Sequence, residues 1–151
     1  MSESEDDKQQ RQMAELLQEL RVALPGVQIL FGFLLTVPFT QGFQKATAFQ
    51  KDVYMVTLVL AAVSTACFIA PSAAHRIRFH QGDRPWIIET ASRLAIAGLA
   101  FLALAMVGAV IVVTDFLFGT PAVYVWPALV AVVFVGLWFA RPLVRHANDQ
   151  S

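Results

Sequence analysis

The chain has 151 residues, of which 57% are hydrophobic and 15% charged, and its mean hydropathy is +0.60. This balance is far from that of a soluble domain and predicts an integral membrane protein. Equal numbers of acidic and basic residues, 11 of each, give no indication of a nucleic-acid partner. The single cysteine, Cys67, excludes an intramolecular disulfide and a cysteine-based metal site.

The first predicted element is an amphipathic cytoplasmic helix that leads into an apolar segment. Apolar residues recur on one helical face at spacings of three and four, at Met13, Leu16, Leu17, Leu20 and Leu24. We expect this helix either to lie along the membrane surface or to continue into the first span. Pro25 and Gly26 predict a bend between the two parts, which is a hinge in one interpretation and part of an anchoring helix in the other.

Four apolar segments approach the roughly 20 residues that a helix needs to cross a bilayer. They cover about 22–39, 53–71, 94–113 and 121–140, and none contains Asp, Glu, Lys or Arg. The predicted fold is all-α, a four-helix transmembrane bundle with up-down-up-down topology. It forms a single membrane domain, 11–146, between an acidic leader, 1–10, and a tail, 147–151, which we predict to be disordered.

The basic residues predict the orientation of the chain. Most lie before the first segment, between the second and third, or after the fourth, whereas Lys45 and Lys51 lie on the opposite side. The positive-inside rule therefore predicts cytoplasmic termini and a cytoplasmic middle loop. Four arginines of that loop are also expected to contact anionic lipid headgroups: Arg76, Arg78, Arg84 and Arg93.

Small and weakly polar residues line one face of each of the first two segments. The faces are Gln28, Gly32 and Thr36 in the first, and Thr57, Ala61 and Thr65, with Ser64 beside them, in the second. Such residues mark helix contacts in membranes, so we predict that these two faces form the interface of the first hairpin. The alternative is that Gln28 and Thr36 line a polar conduction path.

One carboxylate, Asp115, lies beside a membrane segment on the predicted outer side. An ionisable residue there is a candidate for collecting a cation or a proton. The alternative is a simple helix end, with Gly119 as terminator and Pro121 opening the next helix, so that Asp115 faces water or the outer lysines.

The middle loop contains signals for a helix start. Asp83 is placed to cap a helix whose first turn accepts Pro85, and Glu89 lies four residues before Arg93, the favourable order for a helical ion pair. His75 and His80 are candidate metal ligands, but two histidines without a third partner are weak support for a metal site. Phosphate, dinucleotide and common metal motifs are missing from the sequence, so we expect no enzyme activity, cofactor or metal.

The stretches "ELLQELRVALPGVQILFGFLLTVPF", "FQKDVY" and "APSAAHRIRFHQGD" resemble a family of small membrane proteins of unknown function that is common in actinobacteria. The resemblance runs from about Glu15 through the third segment and implies a four-span protein in the bacterial cytoplasmic membrane. Some members carry an automatic sodium:proton antiporter label. No acidic residue lies in the middle of a segment of this chain, where a coupling ion needs an exchangeable carboxylate.

Two functions follow from these observations. The first is a non-enzymatic structural or accessory protein that contacts membrane lipids and assembles with itself or another membrane protein through the small-residue faces. The second is a subunit of a small channel or transporter for protons or monovalent cations. The lack of a buried charge favours the first.

Overall fold

A computed structural model gives the structure of the protein. It describes the backbone of residues 5–77, 84–119 and 122–140, and the side chains of 8, 11–12, 14–73, 89–119 and 122–137. Most of the described residues are helical, and none of them forms a strand. The helices are α1 (Glu5–Thr36), α2 (Gln41–Gln44), α3 (Ala48–Ile77), α4 (Arg84–Phe118) and α5 (Ala122–Phe134). A 3-10 turn (Val37–Phe39) follows α1, and a π-helical segment (Val135–Ala140) follows α5.

Three of the described helical stretches are long and apolar enough to cross a membrane. They are Ala14–Phe39, Ala48–Ala73 and Glu89–Phe118, which contain the first three predicted segments. The fourth predicted segment, 121–140, corresponds to a shorter apolar stretch, Ala122–Leu137. Pro127 lies inside α5 without ending it. The four-span count and the up-down-up-down topology therefore stay predictions.

Helix α1 joins the charged and apolar parts of the N-terminal region in one element. In the structure the charged helix continues into the apolar segment, which is one of its two expected placements. Pro25 and Gly26 do not divide the helix. The helix begins at Glu5. The disorder of the leader stays a prediction.

Helix α3 has a continuous buried stripe. Its buried positions are spaced alternately three and four residues apart, at Tyr54, Thr57, Ala61, Ser64, Phe68 and Pro71. This is the spacing at which helices pack by inserting side chains between those of a neighbour. The stripe combines small, hydroxyl and aromatic side chains.

The chain divides into two compact units, and the first contains Met1–Thr40 and Leu58–Leu102. Within this unit, α3 and α4 are in direct contact. The Phe68 ring fills the space beside Gly98, where an added Cβ would lie 2.6 Å from Phe68 Cε1. Phe68 is fully buried, as is Ser64. Glycine at position 98 is therefore required by the closeness of the two helices.

The second unit contains Gln41–Thr57 and Ala103–Ser151. The fully buried Thr57 contacts Gly108 so closely that an added Cβ there would collide with its hydroxyl. The rings of Phe43 and Tyr54 meet edge to face with centroids 4.8 Å apart. This unit thus has its own aromatic and small-residue contacts.

Candidate functional site

The predicted polar face of α3 lies inside the protein. Thr57 is 1% exposed and its hydroxyl donates to the Val53 carbonyl at 2.7 Å. Thr65 is half-buried and its hydroxyl donates to the Ala61 carbonyl at 2.9 Å. Both hydroxyl groups bond to the backbone of their own helix, so neither needs a hydrogen-bond partner from another helix.

Ser64 differs from these threonines because its hydroxyl bonds to another helix. It donates to the Gly98 carbonyl of α4 at 2.8 Å, and both residues are buried. The face of α3 that the sequence predicts as a helix contact is therefore a contact with α4. On α4 this face meets Gly98 and Gly108, which have no side chain to hold the two helices apart.

The predicted polar face of α1 lies on the outside of the chain. Gln28, Gly32 and Thr36 are all exposed, whereas the buried side of α1 carries Val27 and Leu34. The prediction that this face packs against the α3 face is therefore wrong. The physical reason is that the branched apolar side chains of α1 fill its buried side.

The two polar side chains on the exposed face of α1 differ in their hydrogen bonding among the described residues. The Thr36 hydroxyl donates to the Phe33 carbonyl at 2.7 Å, so it is satisfied within the helix. The Gln28 amide makes no hydrogen bond among the described residues. A Cβ added to Gly32 would meet nothing within 4 Å, so the backbone is open at that point.

A capping box that the sequence analysis missed begins α3. The Gln50 N–H donates to the Thr47 hydroxyl at 3.2 Å, and the Thr47 N–H donates to Gln50 Oε1 at 3.1 Å. The signal was present in the sequence as "TAFQ", since Thr followed three residues later by Gln before an apolar run is the mark of this motif. The box fixes the Gln50 side chain at the first turn of the helix.

The other end of the Gln50 amide binds Asp115. Gln50 Nε2 donates to Asp115 Oδ2 at 2.8 Å; Gln50 is 7% exposed and the carboxylate is half-buried. Asp115 lies near the end of α4, where the helix dipole disfavours negative charge and the last turn holds no basic residue. The Gln50 amide is therefore a main stabilising contact of this carboxylate.

The predicted end of α4 is confirmed. The helix stops at Phe118, and Gly119 has a φ of 61°, which favours glycine. The Gly119 N–H donates to the Asp115 carbonyl at 3.1 Å. Asp115 thus lies in the last turn of α4, and its side chain is bonded to Gln50 of α3. Both interpretations of its role stay predictions.

The predicted ion pair of α4 is also confirmed, with Arg93 Nη2 donating to Glu89 Oε1 at 2.6 Å. Both side chains are exposed. The side chains of the other three predicted lipid contacts, Arg76, Arg78 and Arg84, lie outside the described residues, as do those of His75, His80 and Asp83. Among the described residues, no group of three or more His, Cys, Asp or Glu is placed to hold a metal.

Comparison with known protein families identifies a match for the chain. A model for a family described as a family of unknown function, DUF6328, matches residues 2–142. No curated protein and no solved structure matches the chain. The match covers nearly all of the sequence, including every residue of the sites described above.

Proposed function

The chain belongs to the DUF6328 family, whose function is unknown, and from its own residues we propose a non-enzymatic integral membrane protein with a structural or accessory role. In this proposal it lies in the bacterial plasma membrane with both termini and the middle loop in the cytoplasm. Its role is to assemble with a membrane protein through the exposed face of α1 formed by Gln28, Gly32 and Thr36, called the assembly face below.

The observation that supports this role is the exposed Gln28 amide. The residue lies within the membrane-length stretch Ala14–Phe39 and has no hydrogen-bond partner among the described residues. In the hydrocarbon of a bilayer no water is present to bond to the amide, and leaving it unpaired costs free energy. A neighbouring protein helix that bonds to Gln28 removes this cost. The open backbone at Gly32 allows that helix to approach closely.

The lipid contacts of the proposal lie at the cytoplasmic side. Basic residues there include Arg21, which is exposed on α1, and Arg93, which is exposed on α4. In this proposal they face the inner leaflet, where each basic residue contributes about 1 kcal/mol of attraction to anionic headgroups. The membrane lipids are thus partners of the charged ends of the helices.

A second candidate function, a subunit of a channel or transporter for protons or monovalent cations, is favoured by one contact. Asp115 is a half-buried carboxylate inside the membrane-length stretch Glu89–Phe118, and it bonds to the buried Gln50. Ionisable residues in such stretches often belong to ion pathways. In this function an oligomer conducts along a path that passes Asp115 and the polar residues of α1, Gln28 and Thr36.

One preparation tests both functions. Purified protein is reconstituted in liposomes with an imposed pH or potassium gradient, and its association state is measured by energy transfer between labelled copies or with a co-reconstituted partner. The proposed role predicts that Gln28→Leu weakens association and that no protein-dependent flux occurs. A flux that is lost in Asp115→Asn would establish the second function instead. If Gln28→Leu leaves association unchanged with every partner tested, the proposed assembly role is contradicted.

A further inference from the structure

We propose that the partner bound at the assembly face is a second copy of this chain, in a two-fold dimer whose α1 helices lie side by side in parallel. This inference rests on the proposed function, because it names the partner of the same face. Three properties of the face support a second copy: its hydrogen-bonding groups, its lack of charge and its open backbone.

Symmetry decides how two copies meet. All copies of a membrane protein with one orientation point the same way, so the two-fold axis of a dimer runs along the membrane normal. Two α1 helices that meet at this axis are parallel, and each residue near the axis lies beside the same residue of the other copy. A face suited to self-association therefore needs side chains that can bind their own kind.

Gln28 meets this requirement. Its amide has both a carbonyl that accepts and an NH2 group that donates, so two Gln28 side chains can exchange hydrogen bonds across the axis. The exchange satisfies in each copy the amide that has no partner among the described residues. A lysine or glutamate at position 28 would meet an identical charge there and repel it.

The surroundings of Gln28 also suit an identical partner. The helix from Val22 to Thr36 contains no charged residue, so two copies meet without like-charge repulsion. Exposed residues recur at spacings of three and four along this side, at Pro25, Gln28, Gly32 and Leu35. That spacing keeps one side of a helix in contact with a parallel neighbour over several turns. Gly32 lies in the middle and removes the side chain that would hold the backbones apart.

Cysteine cross-linking tests the geometry. In a Cys67→Ser background, Gly32→Cys places a thiol on the assembly face, and Phe33→Cys places one at almost the same depth but about 100° around the helix. Phe33 is 69% exposed, so both sites are accessible and both substitutions leave the core intact. With an oxidant and reconstituted protein, we expect a disulfide dimer from Gly32→Cys and little from Phe33→Cys. Equal cross-linking of the two variants, or none from Gly32→Cys, would overturn the dimer.

Dilution in lipid tests the role of Gln28. Energy transfer between labelled full-length copies gives a dissociation constant as lipid is added. We expect Gln28→Leu to raise this constant about tenfold, because two hydrogen bonds between helices are lost. The matched control is Ile29→Leu, which changes the shape of the neighbouring exposed residue and leaves the amide in place; it should change the constant less than about twofold. A Gln28→Leu dimer as tight as the wild type would contradict the proposal.

A photo-crosslinking residue at position 32 in bacterial membranes separates this inference from the proposed function. An adduct with the mass of two chains supports the dimer. An adduct with a different membrane protein that is lost in Gln28→Leu, together with reconstituted copies that do not associate, would overturn the dimer and leave the assembly role intact. If the residue at position 32 cross-links only to lipid, both the dimer and the assembly role are overturned.

Discussion

Two polar faces that look alike in the sequence have opposite places in the structure. On α3, Thr57 and Ser64 are fully buried and close to glycines of α4, whereas on α1, Gln28 and Gly32 are exposed. The pattern of small and polar residues therefore marks where helices can approach, but it does not say which helix approaches. A hydrogen bond to another helix makes the distinction, because Ser64 donates to Gly98 of α4, whereas the Gln28 amide has no partner among the described residues.

The largest expected effect is a contrast between two glycines. Gly98→Val should lower the free energy of unfolding by about 3 kcal/mol, because the new side chain overlaps Phe68 and the backbones cannot separate without losing their contact. Gly32→Val should lower it by less than about 0.5 kcal/mol, since its position is open and surface substitutions have small effects. Unfolding in mixed detergent micelles, at dilutions where copies do not associate, measures both. Similar losses in the two variants would mean that α1 packs differently from the structure described.

A middle-sized effect is expected from the two glutamines. Gln50→Leu removes the acceptor for the Thr47 N–H and the donor for Asp115, so we expect a loss of about 2 kcal/mol in the free energy of unfolding. Asp115→Asn keeps an acceptor for Gln50 Nε2 and should cost less. Gln28→Leu should cost nothing measurable in the dissociated chain. The same micelle assay gives all three values, and a Gln50→Leu variant as stable as Gln28→Leu would show that the bond to Asp115 carries no stability.

The smallest effect concerns two hydroxyl groups. Ser64→Ala removes a buried hydrogen bond between helices and should cost about 0.6 kcal/mol, the average for such bonds in membrane proteins. Thr36→Val removes an exposed hydroxyl that bonds its own helix, and it should leave the free energy of unfolding unchanged. A loss in Ser64→Ala that is absent in Thr36→Val would place the loss at the α3–α4 contact. Equal effects of Ser64→Ala and Thr36→Val would contradict that location.

Local features of the fold were predictable because their signals are close together in the sequence. The three long apolar helices follow from runs of apolar residues, the Glu89–Arg93 pair from a spacing of four, and the end of α4 from Gly119. The capping box at Thr47 was equally readable but was overlooked.

Features that join distant residues were not predictable. Gln50 and Asp115 are 65 residues apart in the sequence, and nothing in either neighbourhood indicates that they meet. The outward direction of Gln28 depends on which side of α1 buries Val27 and Leu34, and several sides of that helix are apolar enough to be buried. One sequence fixes which residues share a face, whereas the choice of neighbour depends on packing across the whole chain.

The lengths of the helices have a consequence for the membrane itself. The three apolar stretches contain 26, 26 and 30 residues, which at about 1.5 Å per residue correspond to about 39, 39 and 45 Å. A typical hydrocarbon core is about 30 Å thick, and the charge-free parts of the three stretches, 22–39, 53–71 and 94–113, have 18, 19 and 20 residues, which correspond to about 27, 29 and 30 Å. In a membrane these parts fit a bilayer of ordinary thickness, and the remaining turns extend into the headgroup region. Those turns carry charged residues such as Arg21 and Arg93, so the charged helix ends set the depth at which the helices lie in the bilayer.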